Sequence, residues 1–391
     1  MTIICSADYC TGCSACANSC PVDAVSMKPN SEGFLYPHID QALCMECGIC
    51  QNTCPVNHPI SKHEPGQVYA FISHNKEKLW KSASGGAFFE FASTVLAKGG
   101  VAYGARYDDN LYVIHDRAAN IDDLNPLLST KYVQSDLKSV FKQVKADLAE
   151  GKTVLFSGTG CQVAGLYGFL GEDPQNLVTV DLLCKGVPSP GVFKKYIEYL
   201  TEKYGDSISA FDFRSKKFGW GRLVCTVTTA SGETIVLNRI NGSFIKTAGA
   251  GFVRKSCFHC PYTSRERISD ITLGDFWHIG EKEAFQGDPS QGCSAVICNT
   301  NKGQVFFESI TDAIIIERKL SELEYGQSSS LSHPIKEPES RSRFFKDAET
   351  MGYHDLALKY LTDKTVKGIL KDYLPIPIQN KLKKLISYTN R

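Results

Sequence analysis

The sequence contains CTGCSACANSCP at residues 10–21 and CMECGICQNTCP at residues 44–55, which are two copies of one cysteine pattern. In each copy the four cysteines are separated by two, two and three residues, and a proline follows the last. Three closely spaced thiolates can bind one face of a small metal centre, while the fourth, at the turn with the proline, reaches a second centre. The pattern therefore predicts two metal centres that exchange one ligand each.

This spacing is that of bacterial ferredoxins with two [4Fe–4S] clusters. Paired C-x₂-C motifs also bind zinc, but a zinc site needs only two pairs and explains neither the third step nor the proline. Residues 1–60 are therefore predicted to be an α+β ferredoxin-like domain that transfers electrons. The expected ligands form two sets of four: Cys10, Cys13, Cys16 and Cys54 for one cluster, and Cys20, Cys44, Cys47 and Cys50 for the other.

Charge is unevenly distributed along a chain of 391 residues whose net charge is +1. Residues 1–64 contain six acids and two bases, a balance of −4, so the remainder carries +5. The nearly neutral whole gives no field that would attract nucleic acid. The acidic N-terminal part would suit either a basic redox partner or the basic remainder of the chain.

The chain start and the cysteine content favour a cytoplasmic protein. No basic stretch followed by an apolar run opens the sequence, so no secretory signal is predicted, and no apolar run is long enough to span a membrane. Sixteen cysteines in a long chain without a signal indicate metal centres rather than disulfides. The oligomeric state is left open.

After the polar segment 61–67 the pattern changes to alternating strands and helices, which predicts an α/β unit with parallel strand pairing. From about residue 320 the chain reads as helical and polar, and it ends in a basic stretch at 364–391. The predicted division is 1–60, 68–150, 151–315 and 316–391. The expected strands are 67–75, 153–158, 177–184, 207–214, 222–238, 269–274 and 294–299, with a hairpin at 101–117; the expected helices are 87–99, 135–152 capped by Ser135, 161–170 and 191–205.

A second set of cysteines lies at expected turns rather than in one run. Cys161 follows a strand, Cys184 ends the next, and Cys257 and Cys260 form a C-x₂-C pair. Ligands at neighbouring strand ends meet at the carboxyl edge of a parallel sheet, so these four thiolates could hold a third cluster. The C-x₂-C pair alone would equally suit half of a zinc site. The four others are read as small apolar residues: Cys5, Cys225, Cys293 and Cys298.

The same region also imitates a dinucleotide-binding unit. TVLFSGTGCQVAG at 153–165 combines a strand, a glycine-rich turn and a helix, and Asp181 ends the next strand about 20 residues on. The glycines do not follow the G-x-G-x-x-G pattern, and Cys161 stands where the backbone should approach the pyrophosphate. Nicotinamide binding is therefore a minor alternative.

Several segments between residues 68 and 300 together resemble the coenzyme F-420 hydrogenase/dehydrogenase beta-subunit family. The resemblance implies an α/β flavin-binding module with FAD, and a [4Fe–4S] cluster on Cys161, Cys184, Cys257 and Cys260. The matching segments are SASGGAF (82–88), GGVAYGARYD (99–108), STKYVQS (129–135), VLFSGTGCQVAGL (154–166), VDLLCKGVPSP (180–190), FDFRSKKFGW (211–220) and RKSCFHCPYTSRERISDITLGDFW (254–277).

Two positions depart from the family pattern. The family often has T-P-C where this chain has Thr159-Gly160-Cys161, and C-H-G where it has Cys184-Lys185-Gly186. Neither change removes a thiolate, so the expected third cluster is unaffected. Lys185 places a permanent charge where relatives have a titratable group, which would alter the substrate or the redox tuning.

In this context SGG at 84–86, before an expected helix, is predicted to bind a phosphate of the flavin through backbone N–H groups. His115 is read as structural. No general acid is predicted, because a flavin carries out the redox chemistry itself, while the protein orients the flavin and substrate and provides the electrostatic environment. The predicted flavin contacts are Ser84, Gly85, Gly86, Lys131, Tyr132, Asp275, Gly292 and Ser294.

The resemblance thus implies an iron–sulfur flavoprotein oxidoreductase. It would move electrons between an external donor or acceptor, such as ferredoxin or another redox subunit, the clusters, FAD and a small organic two-electron substrate, most simply in ferredoxin-dependent reduction. One alternative is an oxidoreductase subunit that uses coenzyme F-420, as the namesakes of the family do. Another is a non-catalytic electron-relay subunit or scaffold.

Overall fold

A computed structural model describes residues 3–362, together with Thr365 and Ile378. The basic stretch predicted at 364–391 therefore lies almost wholly outside the described residues. The strands are β1 Val25–Pro29, β2 Leu35–Ile39, β3 Val68–Ser73, β4 Val101–Tyr107, β5 Val113–Ala118, β6 Val154–Thr159, β7 Leu177–Leu182, β8 Ile208–Asp212, β9 Thr226–Thr229, β10 Thr234–Val236, β11 Ile271–Asp275, β12 Ser294–Cys298 and β13 Ala313–Arg318.

The helices alternate with these strands along much of the chain. No helix of the described residues is long and apolar enough to cross a membrane. The helices are α1 Ala15–Ser19, α2 Ile49–Asn52, α3 Lys76–Lys81, α4 Ala87–Ala97, α5 Ile121–Leu124, α6 Val140–Ala149, α7 Gly160–Leu170, α8 Pro190–Tyr204, α9 Lys246–Gly249, α10 Asn301–Glu308, α11 Leu320–Ser332, α12 Arg341–Thr350 and α13 Tyr353–Tyr360.

The N-terminal part is a small α+β unit in which the two cysteine runs flank one hairpin. Strands β1 and β2 pair antiparallel, and the short helices α1 and α2 contact each other. Each helix starts after a residue in the left-handed region, Ser14 before α1 and Gly48 before α2. The repeated sequence therefore builds the same turn twice.

The main sheet has eight strands in the order β13-β3-β12-β11-β7-β6-β4-β5. Its four central strands β11, β7, β6 and β4 are parallel, as the alternation of strands and helices predicts. The outer strands pair antiparallel, so the sheet is mixed rather than wholly parallel. Strand β13 was not predicted, although its sequence AIIIER suits an edge strand.

The domain division stays a prediction, but the sheet shows how the middle segments are joined. Strands β3 to β5 come from residues 68–150, and β6, β7, β11 and β12 come from 151–315. A separate three-stranded sheet, β10-β9-β8, packs with α8 and the C-terminal helices around an aromatic core. Phe193, Tyr196, Phe213, Phe244 and Tyr353 are all buried there.

One predicted helix starts later than expected. Helix α6 begins at Val140 after Ser139, and Ser135 does not cap it. Residues 135–136 instead run beside β5, where the Asp136 N–H donates to the Val113 carbonyl and the His115 N–H to the Asp136 carbonyl. The Ser135 hydroxyl lies 2.8 Å from His115 Nδ1. Pairing with a strand thus outweighs the helical pattern at this position.

The parallel strands β6, β7 and β11 place their carboxyl ends on one edge of the sheet. Thr159, Leu182 and Asp275 are the last residues of these strands. Ligand sites of α/β sheets gather at this edge. The same edge carries the second set of cysteines and most of the residues predicted to contact a flavin.

Candidate iron–sulfur centres and strand-end site

The N-terminal unit contains two cavities, each lined by four of the eight cysteines. We call the one lined by Cys10, Cys13, Cys16 and Cys54 the first cavity; the free space within it, including the part open to solvent, is about 350 Å³. The second cavity, with about 370 Å³ of such space, is lined by Cys20, Cys44, Cys47 and Cys50. Cys20 follows α1 into the second cavity, and Cys54 follows α2 into the first. The structure therefore brings together the two crossed sets that the spacing predicts.

The donor set of each cavity fits a four-iron cluster. In the described residues no three Cys, His, Asp or Glu side chains converge on a single metal ion. The four thiols of each set instead surround a volume, and a four-iron cluster takes one thiolate at each corner. Apolar residues complete the lining, such as Ile4 and Val56 in the first cavity and Val25 and Ile39 in the second.

Cys5, expected to be a small apolar residue, lies among the ligands of the first cavity. This thiol lines the first cavity, and its hydrogen bond lowers the pKa of Cys10 to about 6 and that of Cys54 to about 7. Thiolates are the form that binds iron. Cys5 is therefore no simple apolar residue, whereas Cys225, Cys293 and Cys298 are buried as expected.

The second set of cysteines also comes together. Cys161 lies in the first turn of α7, Cys184 follows β7, and Cys257 and Cys260 lie in one short turn. Burial, with the charge of the other cysteines, raises the pKa of Cys184 to about 11 and that of Cys257 to about 12, and it raises that of Cys161. Four half-buried thiols close enough to influence one another form a donor set that fits a third cluster. We call them the third cysteine group.

Helix α7 joins the third cysteine group to the first cavity. Gly165, one turn after Cys161, faces Cys13 so closely that a Cβ added to it would lie 2.7 Å from Cys13 Cβ and 2.9 Å from its Sγ. Gly168 makes a similar approach to the Thr53 carbonyl, where a Cβ would lie at 2.4 Å. Larger residues at these positions would push the N-terminal unit away from α7.

Tyr262 lies between the same two sets of thiols. Burial chiefly raises the pKa of its phenol, and the charges of Cys161, Cys13, Cys260 and Cys54 raise it further. Two of these cysteines belong to the first cavity and two to the third group. A buried aromatic side chain thus lies near cysteines of both candidate centres.

The residues predicted to contact a flavin come largely from two segments that the structure joins. The Ser84 hydroxyl donates to the Cys293 carbonyl at 2.8 Å, and the Gly85 N–H donates to Ser294 Oγ at 2.9 Å. A Cβ on Gly292 would lie 2.5 Å from the Ser84 carbonyl oxygen. A Cβ on Gly85 would lie 2.0 Å from the carbonyl of Phe71 in β3, so close packing requires a glycine there.

Asp275 and Tyr132 meet at an arginine that the sequence analysis did not single out. Arg214 is buried and binds both carboxylate oxygens of Asp275, at 2.9 and 3.1 Å, and the Tyr132 hydroxyl at 2.9 Å. Trp220 donates its ring N–H to Asp275 at 3.2 Å and stacks on Trp277 with ring centroids 4.5 Å apart. These side chains form a rigid polar and aromatic wall beside the carboxyl end of β11.

Two lysines near this wall are held by backbone carbonyls. Lys131 donates to the carbonyls of Pro126 and Leu128, at 2.9 and 2.7 Å, so its ammonium is tied to its own loop. Lys216 donates to the carbonyls of Leu79 and Ser84 at 2.6 and 2.7 Å. Burial lowers the pKa of each to about 7. The ammonium group of Lys131, which was predicted to contact the flavin, is therefore hydrogen-bonded to backbone carbonyls of its own loop.

We call the region around Ser84, Gly85, Asp275 and Ser294 the strand-end site. The start of helix α4 is the part of this site that suits a phosphate group. Helix α4 begins after Gly86, which has φ +85°, and no side chain caps it. The first N–H groups of a helix have no intrahelical partner and attract phosphate. The side-chain donors of Ser84 and Arg214 are already paired within the protein, so they shape the wall of the site.

Asp181 and His115, two further residues considered in the sequence, are both buried and hydrogen-bonded within the protein. Asp181, the acid that a dinucleotide-binding unit would offer to a ribose, is fully buried and bound by Arg267 at 2.6 Å and Thr272 at 2.6 Å. It is therefore a structural residue. His115 is buried between Ser135 and the Ser157 carbonyl, and burial lowers its pKa to about 4, which agrees with a structural role.

Comparison with known proteins assigns both parts of the chain. Residues 9–58 match the family model for a 4Fe–4S dicluster domain. Residues 151–322 match the model for the C terminus of the coenzyme F420 hydrogenase/dehydrogenase beta subunit. Residues 151–322 thus carry the C-terminal domain of this family. The resemblance drawn from the sequence is thus confirmed, and the N-terminal unit is an iron–sulfur domain.

Among solved structures, the chain is similar to one in the F420-reducing [NiFe] hydrogenase complex from Methanosarcina barkeri, a xenon derivative. The two share 17% sequence identity, the match covers 77% of this chain and 93% of that chain, and the TM-score is 0.44. No curated protein matches the chain closely enough to count as a relative. Assignment of individual residues therefore depends on the geometry described above.

Proposed function

We propose that this protein is an iron–sulfur flavoprotein oxidoreductase that reduces a small organic substrate with electrons from an external low-potential partner such as ferredoxin. The observation that carries the proposal is the contact of Gly165 with Cys13. It joins the iron–sulfur domain to the helix that bears Cys161 at the edge of the main sheet. An iron–sulfur domain so closely packed against a second thiol group is suited to internal electron transfer.

In this proposal each set of four thiolates holds one [4Fe–4S] cluster. The clusters supply one-electron transfer, and their potentials depend on charge, hydrogen bonds and exposure. The chain's own residues hold and shield them. The Cys5 thiol lowers the pKa of two ligands of the first cavity, and the buried Tyr262 lies near cysteines of both the first cavity and the third cysteine group.

FAD is the proposed occupant of the strand-end site. The uncapped start of α4 suits its diphosphate, and the Arg214–Asp275 wall with Trp220 and Trp277 suits a planar ring system beside it. A flavin supplies exchange between one-electron and two-electron chemistry. The Leu183 N–H donates to the Leu273 carbonyl at 2.9 Å, so the ends of β7 and β11 lie side by side. Cys184, just after β7, and Asp275, the last residue of β11, are therefore at adjacent strand ends.

Coenzyme F-420 is the second candidate substrate, because the matched family is named for it. The two candidates are distinguished by adding F-420 to the reduced protein under anaerobic conditions. Rapid loss of the F-420 absorbance, as electrons pass from the reduced protein to F-420, would favour the F-420-dependent subunit, and an unchanged absorbance would leave the organic substrate.

The second cavity is the proposed docking site for the external partner. Cys47 is exposed, and so are Leu43 and Met45 beside it, at 55% and 62%. Glu46 lines this cavity, and it forms no ion pair within the described residues. An apolar centre with an acidic neighbour suits a redox protein whose exposed centre is ringed by lysine and arginine.

The acids of the iron–sulfur domain divide between two tasks. Three of them pair with the rest of the chain: Asp8 with Lys255 at 3.1 Å, Asp23 with Lys142 at 2.8 Å, and Glu32 with Arg341 at 2.6 Å. Asp40 and Glu46 lie on the side of the second cavity and remain exposed. The same net negative charge can thus serve internal packing and an external partner at once.

The test is anaerobic reconstitution followed by iron, sulfide and flavin counts on the full chain. We expect about twelve irons and about one FAD, from three four-iron clusters. Cys161→Ser should lower the count by about four irons, while the control Cys298→Ala, in a buried strand position, should leave it unchanged. A count of about eight irons in the unaltered protein would contradict the third cluster. Absence of flavin at full iron content would favour a relay subunit.

A further inference from the structure

Arg254 is a fully buried arginine that lies between the first cavity and the third cysteine group. Its exposed fraction is 0%, and it precedes Cys257 by three residues. Its Nε donates to the Cys10 carbonyl at 2.6 Å, and its Nη2 lies 3.5 Å from Cys10 Sγ. The guanidinium therefore contacts both the backbone and the sulfur of one cavity ligand.

The remaining contacts of Arg254 are neutral. Its Nη1 donates to the Leu35 carbonyl at 2.9 Å and to Gln134 Oε1 at 3.1 Å. The guanidinium stacks on Tyr36, 4.0 Å from the ring centroid. Gly12, with φ +69°, leaves the room it needs, since a Cβ there would lie 2.9 Å from Nη1. Its surroundings are thus closely fitted to a planar cation.

No carboxylate pairs with Arg254 among the residues that the structure describes. A buried charge without a counter-charge is strongly unfavourable, and an arginine stays protonated at any ordinary pH. The ligand sulfur that it contacts is Cys10 Sγ, so a cluster bound there would supply the missing negative charge. Arg254 lies behind the lining of the first cavity and touches its ligand Cys10, whereas the lining of the second cavity includes the acid Glu46 and no lysine or arginine.

We propose that Arg254 is the counter-ion of the cluster in the first cavity and holds that cluster at a higher reduction potential than the cluster in the second cavity. This inference rests on the assignment of clusters to both cavities made above. A fixed positive charge and an N–H···S hydrogen bond stabilise the reduced, more negative cluster. One electron is gained per cluster, and Arg254 keeps its proton throughout.

The test is an anaerobic redox titration of the reconstituted full chain, followed by electron paramagnetic resonance. Serine variants of Cys16 and Cys50 assign the signals to the first and second cavity. We expect Arg254→Gln to lower the first-cavity potential so that the reduced-to-oxidised ratio at a fixed applied potential falls at least about tenfold, about 59 mV for one electron. The second-cavity potential should not change.

Arg318→Gln is the matched control, because it removes one positive charge from an arginine that pairs with Glu322 far along the sheet. It should move neither potential. If Arg254→Gln retains full iron and leaves the first-cavity potential unchanged, the proposal is overturned.

If Arg254→Gln loses iron, Arg254→Lys decides the question. It keeps the charge but not the planar fork, so regained iron with a first-cavity potential lowered little or not at all supports the proposal, and a loss of iron equal to that of Arg254→Gln overturns it. Failure of the unaltered chain to bind clusters would instead refute the proposed function. The two failures are therefore distinguishable.

Discussion

The two cysteine runs have the same spacing and build cavities of similar volume, yet their surroundings differ. In the first cavity Cys10, Cys16 and Cys54 are all buried, and Gly165 and Arg254 lie against it. In the second cavity Cys47 is exposed and Glu46 lies in the lining. The same sequence motif thus produces one buried and one exposed cavity, because the rest of the chain packs against the first cavity and not against Cys47 of the second. The first cavity faces the rest of the chain, and the second cavity faces outward.

The largest effect that would test this asymmetry concerns the ion pair between Arg341 and Glu32. Arg341 is 1% exposed and donates to both Glu32 oxygens, at 2.8 and 2.6 Å. We expect Arg341→Met to lower the free energy of unfolding by about 3 kcal/mol, because a half-buried carboxylate loses its partner. Anaerobic urea denaturation measures the loss, and cluster absorbance with the serine variants shows which cavity is affected first.

The surface pair of Lys255 and Asp8 provides the control for this prediction. Its side chains are 46% and 59% exposed, so Lys255→Met should cost less than about 1 kcal/mol. If Arg341→Met and Lys255→Met lower the free energy of unfolding equally, the buried pair of Arg341 and Glu32 does not contribute more than the surface pair to holding the first cavity in place.

Acid should weaken the main sheet through the buried His115 in β5. Burial lowers the pKa of His115 to about 4, while an unfolded histidine takes up its proton near pH 6.5. The folded state therefore loses stability as the pH falls from 6.5 towards 4, by about 2 kcal/mol between pH 6.5 and 5. His115→Asn should flatten this part of the curve in urea unfolding at several pH values. A variant with the same slope as the unaltered protein would contradict the role of His115.

The smallest expected effect is at the outward cavity. Glu46→Lys should slow electron transfer to a c-type cytochrome, whose haem edge is ringed by lysines, about tenfold at low salt. The difference should shrink as salt rises, because the attraction is screened. Stopped-flow absorbance measures the rate. Glu233→Lys, in the turn between β9 and β10, makes the same charge change on another sheet and should have little effect.

The ligand sets could be predicted from sequence because their signal is local. Each cysteine run is 12 residues long, and its spacing alone assigns Cys20 and Cys54 to opposite cavities. Cys161, Cys184 and the 257–260 pair were predictable as strand-end residues once the parallel strands were identified. The α4, α7 and α8 helices and the central strands follow from periodicity in the same way.

What the sequence did not reveal depends on contacts between distant residues. Arg254 and Cys10 are 244 positions apart, and no sequence pattern near either residue predicts their contact. Cys5 looks like an apolar residue until the fold brings it beside Cys54. The predicted cap Ser135 failed because a neighbouring strand competed for its backbone. Strand β13 was missed because its pairing partner β3 is far away in the chain.

The close fit of Arg254 has a consequence for how the protein is made. Before iron and sulfide are in place, docking of the N-terminal unit would enclose a cation without its counter-charge. We expect the inward centre to be assembled first, while its cysteines are still open to the cell's iron–sulfur carriers. The outward centre can be filled, lost and repaired at any later time. Oxidative damage should accordingly be reversible at one end of this molecule and lasting at the other.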